Sequence, residues 1–231
     1  MVEVTEGDML GLVGVYCYVL AVIVITVLLR DRMRNPRKLV HILTGGIVFF
    51  WWSFDTAIIM AGLAALPFVA LLLLATPKSP VRFLRESPLG VRFAEGHPYG
   101  LVMYATSWTI IAYFMFDHLY AASLAIAAMS FGDGMGELVG RRFGRHVFMP
   151  HRSVEGSLAV LIGTLVSFLV VTWFYFDVVS YAGGGGPPEF VFAFAAAIAV
   201  LVTLLEAATP GSVDNLVIPL STAGLLLIMG V

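Results

Sequence analysis

The residues best suited to chemistry lie between Gly132 and Arg142, where glycines alternate with carboxylates and two arginines follow. The run is Gly132-Asp133-Gly134-Met135-Gly136-Glu137-Leu138-Val139-Gly140-Arg141-Arg142. On a helix, Asp133 and Glu137 lie one turn apart on one face, and two carboxylates in apolar surroundings are costly without a counter-charge. Because Mg²⁺ is typically held by one or two carboxylates together with phosphates, the run predicts a metal site near phosphate-binding arginines.

The glycines of this run have a second explanation. Gly136, Gly140 and Gly144 recur every four residues, which on a helix makes a smooth face for close packing against another helix. We expect the glycines to serve partly in packing and partly in phosphate approach, the latter at Gly132, Gly134 and Gly140. A solvated loop with internal ion pairs is a further alternative, and no GxxxxGK[ST] motif of a Walker A loop is present.

A second candidate cluster is Arg152-Ser153-Val154-Glu155-Gly156-Ser157. It offers a cation, two hydroxyls and a glycine at the start of a predicted helix, a composition that suits a phosphate clamp. The alternative is a helix N-cap, with Ser153 as the capping residue and Glu155 in the first turn.

Cations and a histidine open the second predicted helix at Arg37, Lys38 and His41. Arg37 and His41 share a helix face, and the partial positive charge of a helix N-terminus favours phosphate there. Plain membrane topology also explains Arg and Lys beside a span. His41 favours a functional role over topology alone, because an imidazole inside an apolar span needs a partner.

Two further carboxylates lie near the C-terminal end of the chain. Glu206 ends a long apolar run, and ionisable residues in membrane segments are functional candidates by default. Asp214 and Asn215 precede the last apolar run, where turn chemistry is the alternative explanation. We expect Asp214 to be a possible metal ligand beside Asp133 and Glu137, and Asn215 to bind phosphate or nucleotide. Glu206 or Glu155 could act as a general base.

The scaffold that must position these residues is a polytopic bundle of transmembrane helices. The 231-residue chain is 60% hydrophobic and 12% charged, with a mean hydropathy of +0.95. No polar block is long enough to fold separately, so residues 1–231 are expected to form one membrane domain. We expect an all-α fold with about eight spans, or seven if the last is re-entrant. The expected spans are 10–29, 39–54, 56–76, 101–116, 119–135, 157–176, 190–208 and 216–231.

The charge distribution predicts which side of the membrane carries the chemistry. Every lysine and arginine lies in Arg30–Lys38, Lys78–Arg92 or Arg141–Arg152. By the positive-inside rule these stretches are cytoplasmic and the N-terminus is outside. We expect the membrane to be the plasma membrane of a prokaryote. The candidate residues all fall at cytoplasmic ends of spans. This gathering favours an enzyme over a transporter, which would spread polar groups through both membrane halves.

Together the four blocks resemble the CTP-dependent polyprenol kinase family, most closely its phytol kinases. Dolichol kinases and a CTP-using diacylglycerol kinase are more distant members. Order and spacing match from residue 36 to about 221, while 1–35 holds the N-terminal tail and first span outside the match. The matching residues are Arg37-Lys38-Leu39-Val40-His41, Gly132-Asp133-Gly134, Gly140-Arg141-Arg142-Phe143-Gly144, Ser153-Val154-Glu155-Gly156-Ser157, Glu206 and Asp214-Asn215-Leu216-Val217-Ile218-Pro219-Leu220.

The resemblance implies transfer of the γ-phosphoryl of CTP to an isoprenoid alcohol in the membrane, with Mg²⁺. The residues that it implies as required are Arg37, Lys38, Asp133 and Gly140. Arg152 departs from the lysine expected before Ser-x-Glu-Gly, and a guanidinium fork is not equivalent to a point ammonium. The implied partners are a lipid alcohol and a nucleoside triphosphate. A nucleic-acid partner is not expected, and a homo-oligomer is compatible. The alternative activity is that of a CDP-lipid synthase, a CTP:phospholipid cytidylyltransferase.

Overall fold

The computed structural model describes residues 3–29, 36–86, 99–150, 152–183, 186–209 and 211–231, without the side chains of Pro36, Arg37 and Ser212. This part of the chain is almost entirely helical, as expected. In chain order the α-helices are Glu6–Leu29 (α1), Pro36–Thr44 (α2), Ala57–Ile59 (α3), Leu66–Leu74 (α4), Arg82–Arg85 (α5), Gly100–Phe114 (α6), Leu119–Ala127 (α7), Gly134–Phe143 (α8), Val154–Trp173 (α9), Val191–Ala208 (α10) and Asp214–Ile228 (α11).

Tighter and wider helical turns extend or join several of these helices. The 3₁₀ segments are Gly45–Ser53, Phe116–His118 and Gly211–Val213, and the π segments are Met60–Ala65, Ala128–Asp133 and Phe174–Val178. A short antiparallel hairpin of Val147–Met149 (β1) and Arg152–Ser153 (β2) connects α8 to α9.

Helix length limits how many segments can cross a bilayer unaided. Within the described residues, four are long and apolar enough to do so, namely Glu6–Leu29, Ala57–Leu74, Val154–Val178 and Val191–Ala208. A fifth is obtained if Gly100–Phe114 and Phe116–Phe143, which are bent by 92° at their junction, count as one span. Lys38–Ser53 and Asp214–Ile228 are apolar but shorter. The all-α membrane fold is confirmed, whereas the count of eight spans and the outside N-terminus stay predictions.

Helix α7 lies at the centre of the bundle, because all nine of its residues are buried. Its sequence, Leu-Tyr-Ala-Ala-Ser-Leu-Ala-Ile-Ala, is rich in alanine, and small side chains let neighbouring helices approach closely. The 3₁₀ segment Gly45–Ser53, α9 and α11 pack around it. By contrast, α4 has no buried residue and α1 exposes most of its apolar side chains, as helices in contact with lipid do.

The helix that starts with α7 continues through the π segment Ala128–Asp133 directly into α8. A π turn accommodates an extra residue in the helix, and such turns occur often at functional sites. This one ends at Asp133, the residue that the sequence singled out as a metal ligand.

The end of the bundle where α1 begins is tied together by a buried carboxylate. Asp8 Oδ1 accepts hydrogen bonds from the backbone N–H groups of Asp55 (3.1 Å) and Thr56 (3.0 Å), and Asp8 Oδ2 accepts one from the Thr56 hydroxyl (2.8 Å). Asp8 thereby fixes the loop that precedes α3. The segment Lys38–Ser53 runs from this loop to the opposite end of the bundle. Lys38 and the other charged residues described below lie at that opposite end.

Candidate active site

A cavity of ≈ 940 Å³ lies at the end of the bundle where α2, α6, α9 and α11 begin and α10 ends. Thirteen of the residues predicted from the sequence line it. They are Lys38, His41, Asp133, Glu137, Gly140, Arg141, Arg152, Ser153, Gly156, Ser157, Glu206, Asp214 and Asn215. The four separate sequence blocks therefore meet in one place.

Lys38 joins α2 to the Asp133–Glu137 pair. Its Nζ lies 2.6 Å from Asp133 Oδ2 and 3.1 Å from Glu137 Oε2, and the Arg141 guanidinium lies 3.0 Å from Glu137 Oε1. Lys38 and Asp133 are buried. The two carboxylates share a helix face as predicted, but the counter-charge that they need is provided by the chain itself in this state.

His41 has the partner that its position required. Its Nε2 lies 3.3 Å from the Met129 carbonyl oxygen and 3.7 Å from Asp133 Oδ2, while its ring packs on Tyr104 with the centroids 4.4 Å apart. The Tyr104 hydroxyl in turn is 2.8 Å from the hydroxyl of Ser130, which belongs to the same π segment as Asp133. Tyr104, which sequence analysis missed, thus connects α6 to both His41 and the π segment.

A second ion pair forms between Arg152 of the hairpin, which is half-buried, and the buried Glu206 near the end of α10. Arg152 Nη2 also donates a hydrogen bond of 3.0 Å to the Thr209 carbonyl oxygen. The guanidinium therefore uses two of its nitrogens on two groups, which a lysine at this position could not reproduce. Glu206, the carboxylate that ended an apolar run in the sequence, is positioned by this pair.

Asp214 and Asn215 open α11 and face the cavity. Asp214 Oδ1 accepts a hydrogen bond of 2.7 Å from the backbone N–H of Asn215, so the local turn chemistry considered for this pair is present. The Ser107 hydroxyl donates to the Asn215 carbonyl oxygen over 2.6 Å and fixes α11 to α6. Both residues are buried.

The start of α9 confirms the capping explanation for Ser153. Its Oγ accepts a hydrogen bond of 3.1 Å from the Gly156 N–H. One turn on, the Ser157 Oγ is buried at the cavity without a hydrogen-bond partner in the described part of the chain. A Cβ at Gly136 would collide with the Val160 side chain, so the packing explanation holds there, where α8 crosses α9. A Cβ at Gly140 would make only an ordinary contact of 3.5 Å with the Gly156 Cα.

Four of the residues predicted for the site do not line the cavity, so the prediction is wrong about their position. Gly132 packs against Thr164 and Gly134 against Ile42, so a side chain at either would collide with a neighbouring helix. Arg142 is exposed, with its guanidinium 5.3 Å from the Phe143 ring.

The fourth is Glu155, whose carboxylate closes the loop before the hairpin. It accepts hydrogen bonds from the backbone N–H groups of Arg145 (3.1 Å) and His146 (3.3 Å) and lies 2.6 Å from His146 Nδ1. This leaves Glu206 as the one of the two proposed bases that faces the cavity. The predicted Arg37 side chain lies outside the described residues.

Charge in the cavity is nearly balanced, with a slight excess of carboxylates. Among the described residues that line it, Asp133, Glu137, Glu206 and Asp214 stand against Lys38, Arg141 and Arg152, which leaves one negative charge in excess. Nowhere in the described part of the chain do three or more His, Cys, Asp or Glu side chains form a group that could hold a metal ion. A cation here would therefore depend on further ligands from a bound molecule.

These observations define an integral membrane protein of the all-α class with a charged cavity at one end of its bundle. A phytol kinase of Synechocystis sp. is 31% identical over 221 residues, which cover 91% of this chain and 88% of that protein. The chain therefore belongs to the phytol kinase-like polyprenol kinase family. No family model matches the chain, and no solved structure does.

Proposed function

We propose that the protein is a lipid-alcohol kinase that transfers the γ-phosphoryl of CTP to an isoprenoid alcohol and releases the alcohol monophosphate. Phytol, geranylgeraniol and longer polyprenols are the proposed acceptors. The similarity to a phytol kinase supports the kinase activity. The observation that carries the proposal is the position of Lys38, held between Asp133 and Glu137 on the wall of a cavity at one end of a membrane bundle.

The phosphate groups would be held by cations and donors that already face the cavity. Phosphoryl transfer needs mostly positioning of the reactants and neutralisation of phosphate charge. Lys38, Arg141 and Arg152 can provide three positive charges, and the Ser157 hydroxyl is a donor without another partner among the described residues.

The carboxylates fit a magnesium ion that arrives with the nucleotide. Asp133 with either Glu137 or Asp214 would hold Mg²⁺, since these carboxylates line the cavity and present oxygen ligands to it. The cavity has too few ligands for a metal site made of protein groups alone. This fits Mg²⁺, because Mg²⁺ is usually bound by one or two carboxylates plus waters and phosphates. When bound, the ion neutralises charge on the transferring phosphoryl group.

Glu206 is the proposed base. In the transfer, the hydroxyl oxygen of the alcohol forms a bond to the γ-phosphorus as the bond between that phosphorus and the bridging oxygen breaks. CDP leaves, and the hydroxyl proton passes to the Glu206 carboxylate. Arg152 pairs with this carboxylate at the cavity wall, and the apolar chain of the alcohol stays among the helices.

The topology proposed from the sequence is eight spans with the N-terminus outside and the active site at the cytoplasmic face of a prokaryotic plasma membrane. The distribution of charged residues between the two ends of the bundle supports this topology. Lys78, Arg82 and Arg85 follow α4 and therefore lie at the same end as the start of α6, which lines the cavity. Asp8 and Asp55 lie at the opposite end. By the positive-inside rule, the cavity end is the cytoplasmic one.

The experiment that tests the activity follows two labels of the same nucleotide. Purified protein in lipid vesicles is given geranylgeraniol and CTP labelled either at the γ- or at the α-phosphorus. We expect the γ-label, and not the α-label, to appear in the lipid. The vesicles also contain phosphatidic acid, so release of pyrophosphate with α-label in that lipid would identify a CDP-lipid synthase and overturn the kinase. ATP and GTP in place of CTP test the choice of donor.

A further inference from the structure

The hairpin beside the charged cavity carries an unusual exposed apolar strand. Val147, Phe148 and Met149 are 68%, 49% and 48% exposed, although flanked by Arg145 and Arg152. Val147 and Met149 line the cavity and Phe148 does not, which agrees with the alternation of side chains along a strand. The strand therefore presents an apolar surface to a cavity whose other walls hold seven charged residues in the described part of the chain.

The base of the hairpin is held firmly to α9. The Val154 N–H donates to the His146 carbonyl oxygen over 3.0 Å, and Glu155 accepts two backbone N–H groups from the loop before β1. The strand is thus fixed at the start of α9 and has a defined position relative to that helix.

Helix α9 connects the hairpin to the lipid-facing surface. Exposed apolar residues recur every four positions along it, so they form one stripe from the hairpin towards the far end of the bundle. They are Val154, Leu158, Ile162, Val166 and Val170. The segment Val154–Val178 is long and apolar enough to span a bilayer, so we expect this stripe to face lipid, and the hairpin ends at Ser153, next to the first residue of the stripe.

We propose that Val147 and Met149 bind the isoprenoid chain next to the reacting hydroxyl, where the acceptor passes from the bilayer into the cavity. This inference rests on the proposed function and identifies residues that select the acceptor. An isoprenoid chain has only apolar surface to bury, and the strand offers it two exposed apolar side chains on the cavity wall. A nucleobase would favour an aromatic ring, and among the described residues of the cavity wall there is no Phe, Tyr or Trp.

Kinetics of the double variant Val147→Ser/Met149→Ser test the assignment. We expect the KM for geranylgeraniol to rise about tenfold, equivalent to about 1.4 kcal/mol, with the KM for CTP unchanged. Phe148→Ser is the matched control, because it alters the same strand at similar exposure but on the other side. It should leave both constants unchanged. A rise in the KM for CTP alone, or an equal effect of Phe148→Ser on the alcohol, would overturn the inference.

Photolabelling separates this inference from the kinase activity. Geranylgeraniol with a diazirine near its hydroxyl end is photolysed with the wild-type protein in vesicles, and labelled peptides are identified by mass spectrometry. We expect label on residues 147–149, retained in Phe148→Ser and lost in the double variant. Label there without phosphoryl transfer would sink the proposed function but support the binding surface. If the protein is active but is labelled only at residues outside 147–149, the binding surface is refuted and the proposed function is not.

Discussion

Lys38 Nζ and Asp133 Oδ2 lie 2.6 Å apart although 95 residues separate them in the chain. The pair joins the start of α2 to the end of the central π segment. Because both groups are buried, either charge alone would be strongly unfavourable there. In the proposed reaction, a nucleotide bound with Mg²⁺ would offer each of them a replacement partner, phosphate for the ammonium and metal for the carboxylate. The ion pair therefore keeps both side chains in position before a nucleotide and a metal ion bind.

Asp133→Asn should abolish phosphoryl transfer while the protein stays folded and inserted. The neutral amide oxygen binds a divalent cation more weakly than a carboxylate and does not offset its charge, whereas Lys38 keeps Glu137 as a charged partner at 3.1 Å. We expect the rate to fall at least about hundredfold, as on removal of other electrostatic groups that stabilise transition states. Initial rates and the size-exclusion profile in detergent measure the two properties. A well-folded variant of near-normal rate would disprove the metal assignment.

Glu137→Gln should raise the Mg²⁺ concentration needed for half-maximal activity. We expect a change of about tenfold, because one oxygen ligand loses its charge while its hydrogen bonds are largely kept. Glu155→Gln is the matched control, since the Glu155 carboxylate binds the loop before the hairpin and does not face the cavity. It should titrate with Mg²⁺ like the wild type. Identical Mg²⁺ curves for all three proteins would count against Glu137 as a ligand.

Arg152→Lys tests why this chain departs from the lysine of its family resemblance. We expect activity within a few-fold of the wild type and a loss of about 1 kcal/mol in stability, because the hydrogen bond to the Thr209 carbonyl oxygen is lost. Arg152→Met should cost about 1–3 kcal/mol, since Glu206 is left buried without its partner. Thermal unfolding in detergent measures both. Arg142→Met, at an exposed arginine, is the control, and an equal loss there would contradict this explanation.

Tyr104→Phe removes one hydroxyl and keeps the ring against His41. The hydroxyl is 2.8 Å from Ser130 Oγ and 3.2 Å from Thr44 Oγ1, so it aligns the π segment with α2. We expect kcat to fall about fivefold, the effect of one net hydrogen bond, with both KM values unchanged. Tyr113→Phe, on the exposed side of the same helix, should have no effect. A change confined to KM would show that Tyr104 does not act by positioning.

The proposed topology predicts opposite labelling of two exposed residues. Cys17 is exposed and is first replaced by alanine. In that background, Asp117→Cys should react with a membrane-impermeant maleimide added to whole cells. Lys78→Cys should react only after the cells are opened. The reverse pattern would invert the proposed orientation, and with it the cytoplasmic placement of the cavity.

Local rules predicted much of the site. The four-residue spacing of Asp133 and Glu137 placed them on one face, and the sequence around Ser153 predicted an N-cap that the structure confirms. Charge distribution predicted that the candidate groups would gather at one end, as thirteen of them do. These predictions depend on helical periodicity and on the cost of charge in lipid, both of which can be calculated from a single stretch of chain.

Contacts between distant segments could not be predicted in this way. The Arg152–Glu206 pair depends on how the hairpin packs against the end of α10, and Tyr104 has no local pattern that distinguishes it from other aromatic residues in a span. Glu155 was misplaced because the first-turn position allows a carboxylate to turn either towards the cavity or towards the preceding loop. Helix length was also a poor guide, since 3₁₀ and π segments change the rise per residue.

The π segment Ala128–Asp133 has a consequence for how this site is encoded. A π turn is equivalent to one residue inserted into an α-helix, and each residue added to a helix turns all that follow by about 100°. If the segment formed a regular α-helix with the same number of residues, Asp133 and Glu137 would rotate by about 100° relative to α7 and away from Lys38. The face that α8 presents to the cavity thus depends on the wide turn in a buried segment as well as on residue types.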